Sequence, residues 1–189
     1  MKSLKEKVNQ ALEKIRINEQ EIIANDISER AITHKLAEYL QIEFPNYNVD
    51  CEYNRNYDFG QDKPKYLKRI SDDTYKKFKT INCPNDLSKL SEQVSNYPDI
   101  IVHKRMSNKH NILIIEVKKN NNRSDWENDK RKLKGFTSVT NYDKYGFNFG
   151  IHITFYVQKS WKKPQLVWYK NGEEINANER ENNSIVEER

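Results

Sequence analysis

Apolar residues recur along this chain with two periods. Leu4, Val8, Leu12 and Ile15 return at three- and four-residue spacing with Lys and Glu between them, which predicts an amphipathic helix over residues 2–24. A second stripe, Ala31, Ile32, Leu36, Tyr39 and Leu40, follows the N-cap candidates Asp26 and Ser28 and stops before Pro45. From Asn48 to Arg55 the period drops to two. Val49, Cys51 and Tyr53 alternate with Asp50, Glu52 and Asn54, as on a half-solvated strand. Ile100-Ile101-Val102 and Ile112-Leu113-Ile114-Ile115 predict two further strands, and the second, the longest aliphatic run, reads as a central strand buried on both faces. The polar segment His103–Asn111 suits the loop of a hairpin between them. Helical spacing returns over 124–138 with Trp126, Leu133 and Phe136, and Gly135 weakens the end of that helix. Tyr145–Val157, rich in aromatic and β-branched residues, predicts another core strand. Gln165–Tyr169 predicts a shorter one, with Asn171-Gly172 as a turn. Beyond about residue 174 apolar residues nearly vanish, so a disordered tail is expected.

The two most strand-like segments also carry the chemistry. Asp99 opens the first, and Glu116 closes the second with Lys118 two residues on. Strand side chains alternate, so Glu116 and Lys118 share a face and Val117 points away. Burying an acid and an amine there costs several kcal/mol per charge unless something compensates. A divalent cation would do so for Glu116 if the hairpin brings Asp99 alongside. Two carboxylates at adjacent strand ends suit Mg²⁺, which keeps several waters and bridges to phosphate. A lysine beside it could orient or deprotonate the attacking water and stabilise phosphate charge. The bland alternative is a buried strand that ends in a surface salt bridge.

Among 28 acidic residues only Glu116 begins an acid-x-Lys triplet, and Pro98-Asp99 is the single Pro-Asp pair. Pro98-Asp99 followed by Glu116-Val117-Lys118 resembles the PD-(D/E)XK nuclease superfamily over roughly residues 28–157. Ser28-Glu29-Arg30, Val49–Arg55 and Tyr97–His103 further resemble small uncharacterised bacterial members, a likeness that carries no established substrate. The resemblance implies an α/β, restriction endonuclease-like fold, with an αβββαβ core and a mixed central sheet flanked by helices. On that reading 1–25 is an N-terminal amphipathic helix, 26–172 the nuclease-like domain with an insertion at about 56–95, and 173–189 a polar tail. It implies a Mg²⁺-dependent nuclease, with Mn²⁺ as a substitute, that hydrolyses phosphodiester bonds in DNA or RNA, DNA being the favoured partner. Asp99, Glu116 and the Val117 carbonyl would hold the metal, Glu29 would be a further ligand, and Lys118 would position or activate the water. Lys119, Lys132 and Arg55 are the candidates for contacting phosphate. A non-catalytic module that binds nucleic acid or protein on the same fold is the alternative. A small-molecule phosphoesterase is disfavoured by the absence of a Gly-rich phosphate loop or a His-Asp metal cluster.

Composition narrows this modestly. A chain of 189 residues suits one domain with additions, and 35% hydrophobic against 32% charged residues, with mean hydropathy −1.04, concentrates the core in few elements. The net charge of +5 and pI near 9.0 fit a polyanionic partner without requiring one. Residues 56–95 interleave Lys63, Lys65, Lys68 and Lys76 with Tyr57, Tyr66 and Tyr75. They either track a phosphate backbone or fold over the sheet as a minor core. With no membrane-length apolar run and no signal peptide, a soluble cytoplasmic protein is expected. Cys51 and Cys83 lack metal-site spacing and read as free thiols. The first helix either packs on its own domain, the favoured reading, or pairs with a second copy in a homodimer.

Overall fold

A computed structural model describes residues 2–53, 55–58, 61–64, 66–69, 92–95, 97–122, 126–139 and 145–175, with backbone alone for the stretches between 55 and 95. Ser3 starts helix α1 (Leu4–Asn18) by a reciprocal capping box. Its hydroxyl accepts from the Glu6 N–H at 3.2 Å, and its own N–H donates to the Glu6 carboxylate at 2.7 Å. The helix expected over 2–24 breaks at Glu19, whose N–H closes on the Ile15 carbonyl at 2.9 Å, and resumes as α2 (Gln20–Ala24). Helix α3 (Glu29–Glu43) is capped by Ser28, whose hydroxyl accepts from the Ala31 N–H at 3.3 Å. Leu4, Val8, Ala11, Leu12 and Ile15 of α1 lie in one buried cluster with Ile32, Leu36 and Leu40 of α3. The α1 stripe is therefore covered within its own chain and is not free to form a dimer seam. Lys14 and Lys2 clamp the buried Glu43 at 2.9 and 3.2 Å and tie the two helices together.

Strand β1 (Asn48–Cys51) leaves α3. The insertion follows, in which β2 (Arg55–Asp58) pairs with β3 (Gln61–Pro64), and β4 (Tyr66–Arg69) pairs with β5 (Glu92–Ser95). Its basic and aromatic side chains, and residues 70–91 with Cys83, lie outside the described residues. The chain then forms β6 (Ile100–His103), β7 (Leu113–Lys119), helix α4 (Trp126–Thr137), β8 (Phe149–Phe155), β9 (Gln165–Lys170) and β10 (Glu173–Ile175). One mixed, open six-stranded sheet results, in the order β1-β6-β7-β8-β9-β10. Only β7 and β8 run parallel, because α4 carries the chain back between them. The fold is mixed α/β with helices on both faces of that sheet.

Alternation along the central strands sorts the core into two layers. Leu113, Ile115 and Val117 face α1 and α3, whereas Ile114 and Ile101 face Leu133 and Phe136 of α4. Each fully buried aliphatic side chain contributes roughly 1.5–3 kcal/mol. Gly150 lets α4 approach β8, since a Cβ there would sit 3.2 Å from both Leu133 Cδ2 and Thr137 Cγ2. Asn171 and Gly172, at φ 53° and 82°, make the two-residue turn that their sequence predicts. That turn pairs Glu173–Ile175 with β9, so a strand occupies the start of the segment expected as a polar tail.

Candidate active site

The chemistry collects where β7 outruns its neighbour. The β6–β7 ladder ends at Ile100↔Ile115, so Asp99 stands across from Glu116. Asp99 shares the facing of Ile101, and Glu116 and Lys118 share that of Ile114, so all three point toward α4. Parallel pairing sets His152 beside Glu116 and Thr154 beside Lys118 on that same face. From α4, Trp126, Asp129, Leu133 and Phe136 fall on one stripe. Asp129 is therefore an acid embedded in the apolar face of its helix, only 2% exposed.

The charged groups form a continuous network. Lys118 Nζ lies 3.2 Å from Asp129 Oδ2 and 3.3 Å from Glu29 Oε1. Lys132 Nζ lies 3.3 Å from Asp129 Oδ1 and donates to Glu116 Oε2 at 3.1 Å. The Val117 N–H donates to Asp99 Oδ2 at 2.7 Å. Burial pushes the Asp99 carboxyl above its ordinary range against the pull of the Val117 N–H and the two lysines. Burial, and then the neighbouring Asp99, push the fully buried Glu116 carboxyl much further up. Burial alone would lower Lys118, but Asp129 and Glu29 outweigh it and raise the ammonium to about 12. Lys132 is likewise raised, with Glu116 and Asp129 overcoming its burial. Four carboxylates, Glu29, Asp99, Glu116 and Asp129, thus meet two ammonium groups, an excess of two negative charges when all are ionised.

The structure brings together Glu29, Asp99, Glu116, Lys118 and Lys132. Glu29, in the first turn of α3, reaches the end of β7, where its Oε2 accepts from the Lys119 N–H at 3.1 Å. Lys119, expected to contact phosphate, instead pairs through its ammonium with Asp26 at 2.7 Å. Lys132 is turned inward to Glu116 rather than outward. Arg55 sits on β2, and its side chain lies outside the described residues. Asp129 and His152 complete the site without having been singled out from the sequence, although both had a signal. Asp129 interrupts a helical apolar stripe, and His152 interrupts the run Ile151–Ile153 of a core strand. His152 is 3% exposed and packs edge-on to Trp126 at 5.5 Å, and its Nε2 has no hydrogen-bond partner. Burial holds its imidazole below the ordinary value, hence neutral. His34, by contrast, lies on the surface beside Glu38 at 3.2 Å.

Among the described residues no group of three or more His, Cys, Asp or Glu side chains is arranged to hold a metal ion. A hard cation can use less, since Mg²⁺ is commonly held by one or two carboxylates plus waters and phosphate. The oxygens on offer are those of Asp99, Glu116 and the Val117 main chain. Glu116 Oε1 is buried and accepts no hydrogen bond, an oxygen that the chain itself leaves unsatisfied. The Val117 N–H points to Asp99, and in an extended strand the N–H and C=O of one residue lie on the same side. The Val117 carbonyl therefore faces the side of Asp99, as its N–H does. The donor set fits an oxygen-liganded dication in chemistry and in charge. No family model matches this chain, and neither a curated protein nor a solved structure matches it.

Proposed function

We propose that the protein is a metal-dependent nuclease that hydrolyses phosphodiester bonds, DNA being the first substrate to test. The observation that carries this reading is the meeting of Asp99, Glu116 and Lys118 at one strand end, with Glu116 Oε1 buried and unsatisfied. The element order α3-β1-β6-β7-α4-β8 supports it, being the helix-strand-strand-strand-helix-strand order that the resemblance to PD-(D/E)XK nucleases implies. Asp99, Glu116 and the Val117 carbonyl would hold Mg²⁺ or Mn²⁺, which when bound would supply Lewis-acid activation of water and phosphate. Lys118, held by Asp129 and Glu29, would orient or activate the attacking water and stabilise negative charge on the phosphate. Asp129 fixes both lysines, and Glu29 steadies Lys118 from the rim.

One observation favours a second reading, a non-catalytic module that binds nucleic acid or protein. Lys132 already answers the charge of Glu116 from within the chain, so the network can stand as structural ion pairing. Cleavage of labelled single- and double-stranded DNA and RNA in Mg²⁺ or Mn²⁺, beside EDTA, separates the two. Metal-dependent cleavage that disappears in Asp99→Ala and in Lys118→Ala is the expected result. Cleavage that survives both substitutions, or none with any substrate, removes the catalytic assignment.

A further inference from the structure

The candidate active site offers no net positive charge to its own substrate. Its carboxylates outnumber its ammonium groups by two when all are ionised, an excess that one bound dication only cancels. The two described lysines expected to offset this are engaged, Lys119 with Asp26 and Lys132 with Glu116 and Asp129. Cationic groups that hold a polyanion must therefore come from elsewhere on the same rim.

The loop from β8 to β9 supplies them. Residues 156–164 read Tyr-Val-Gln-Lys-Ser-Trp-Lys-Lys-Pro, three lysines and no acid. Lys159, Lys162 and Lys163 are exposed, and none forms an ion pair with a described carboxylate, unlike Lys118, Lys119, Lys130, Lys132 and Lys134. The loop leaves the C-terminal end of β8, which lies beside that of β7 because the two strands run parallel. It is fastened there, since the Asn120 N–H donates to the Phe155 carbonyl at 2.8 Å and the Val157 N–H donates to Asn120 Oδ1 at 2.9 Å. Trp161 and Val157 pack against the core, and Pro164 is buried. The lysines thus stand on an anchored loop. Lys162 Nζ lies 3.7 Å over the Tyr156 ring, a cation–π contact that seats its ammonium on the loop.

We propose that this loop is the backbone-holding track of the protein. On this assignment Lys159, Lys162 and Lys163 neutralise phosphates of the nucleic acid whose scissile bond lies at Asp99, Glu116 and Lys118. The assignment rests on the nuclease reading of that site. It follows that binding depends on salt through this loop, at about 0.9 in log–log slope for each phosphate neutralised on duplex DNA.

The test is fluorescence anisotropy of labelled single- and double-stranded DNA and RNA across a salt series. Ca²⁺ would stand in for Mg²⁺, and cleavage in Mg²⁺ would be measured in parallel. The full chain would be compared with Lys159→Ala/Lys162→Ala/Lys163→Ala, with the same triple replacement by Arg, and with Lys104→Ala/Lys109→Ala in the β6–β7 loop at the opposite end of the sheet. The alanine triple is expected to lower the salt slope by about two to three. A fourfold rise in salt then weakens the parent about 40-fold more than the variant. The arginine triple and the Lys104/Lys109 variant should bind as the parent does. Unchanged slope and affinity in the alanine triple, with the parent still binding and cleaving, would overturn the loop assignment and leave the nuclease reading intact. An equal loss in the Lys104/Lys109 variant would reduce the effect to net charge and also overturn it. A parent that binds none of the four nucleic acids removes both readings together.

Discussion

Among the described residues Asp129 alone touches both lysines of the candidate site, and Asp129→Asn tests whether it anchors them. Its two contacts, at 3.2 and 3.3 Å, are buried ion pairs, and breaking such a pair outright costs roughly 3–5 kcal/mol. Asparagine retains the shape, and Glu29 and Glu116 still hold Lys118 and Lys132, so a total near ~2–3 kcal/mol is expected rather than the full cost. That corresponds to a fall in melting temperature of roughly 4–12 °C for a chain of this size. The pH dependence makes the argument specific. Lys118 is raised from 10.5 to about 12, so its pairing stabilises the fold by about 2 kcal/mol. A raised lysine contributes fully below its unfolded value and loses that contribution as pH climbs through the folded one. The stability is therefore present below pH 10.5 and vanishes between 10.5 and about 12. Urea unfolding at about neutral pH and across that alkaline window should show the Asp129→Asn penalty large at the low end and shrinking toward the high end. A penalty that stays constant across the window would assign the loss to packing and refute the anchoring role. A parent and variant of equal stability at neutral pH would refute it outright.

Two further substitutions probe the packing that holds the site. The Tyr169 hydroxyl is buried with no hydrogen-bond partner, and burial raises it to about 12, so its neutral form is what the fold accepts. Tyr169→Phe should leave stability unchanged or raise it by about 1 kcal/mol at neutral pH, and should flatten the loss between pH 10 and 12, measured by urea unfolding. A loss above about 1 kcal/mol would show that the hydroxyl has a partner after all. Gly150→Ala places a methyl 3.2–3.3 Å from Leu133, Thr137 and Tyr169, and should cost about 1–3 kcal/mol in the same assay. Because α4 carries Asp129 and Lys132, cleavage should fall in this variant even at temperatures where circular dichroism shows it fully folded. Full activity there would mean that the spacing of α4 from the sheet does not position the site.

Much of this architecture was legible along the chain because it depends on local periodicity. The helical stripes of α1 and α3, the Ser28 cap, the aliphatic strands β6 and β7 and the Asn171-Gly172 turn each follow from residues within a few positions of one another. The same alternation predicted that Glu116 and Lys118 share a face. The polar pairings were not legible, because they join residues distant in sequence: Glu29 to Lys118, Asp129 to Lys118 and Lys132 to Glu116. A lysine in a sequence is only a charge. Whether it stands in solvent unpaired with any described carboxylate, as Lys162 does, or is engaged by one, as Lys119 and Lys132 are, depends on which acids the fold brings within reach. The break at Glu19 and the short β10 escaped because helix ends and edge strands are set by packing more than by propensity. The sequence by itself determined the elements, the order of the strands' chemistry and the shared face of the two motif residues, since these are properties of a backbone with a fixed period. The tertiary structure alone decided which charges neutralise one another and which remain outside, since electrostatic pairing falls off within a few ångströms and is blind to separation along the chain.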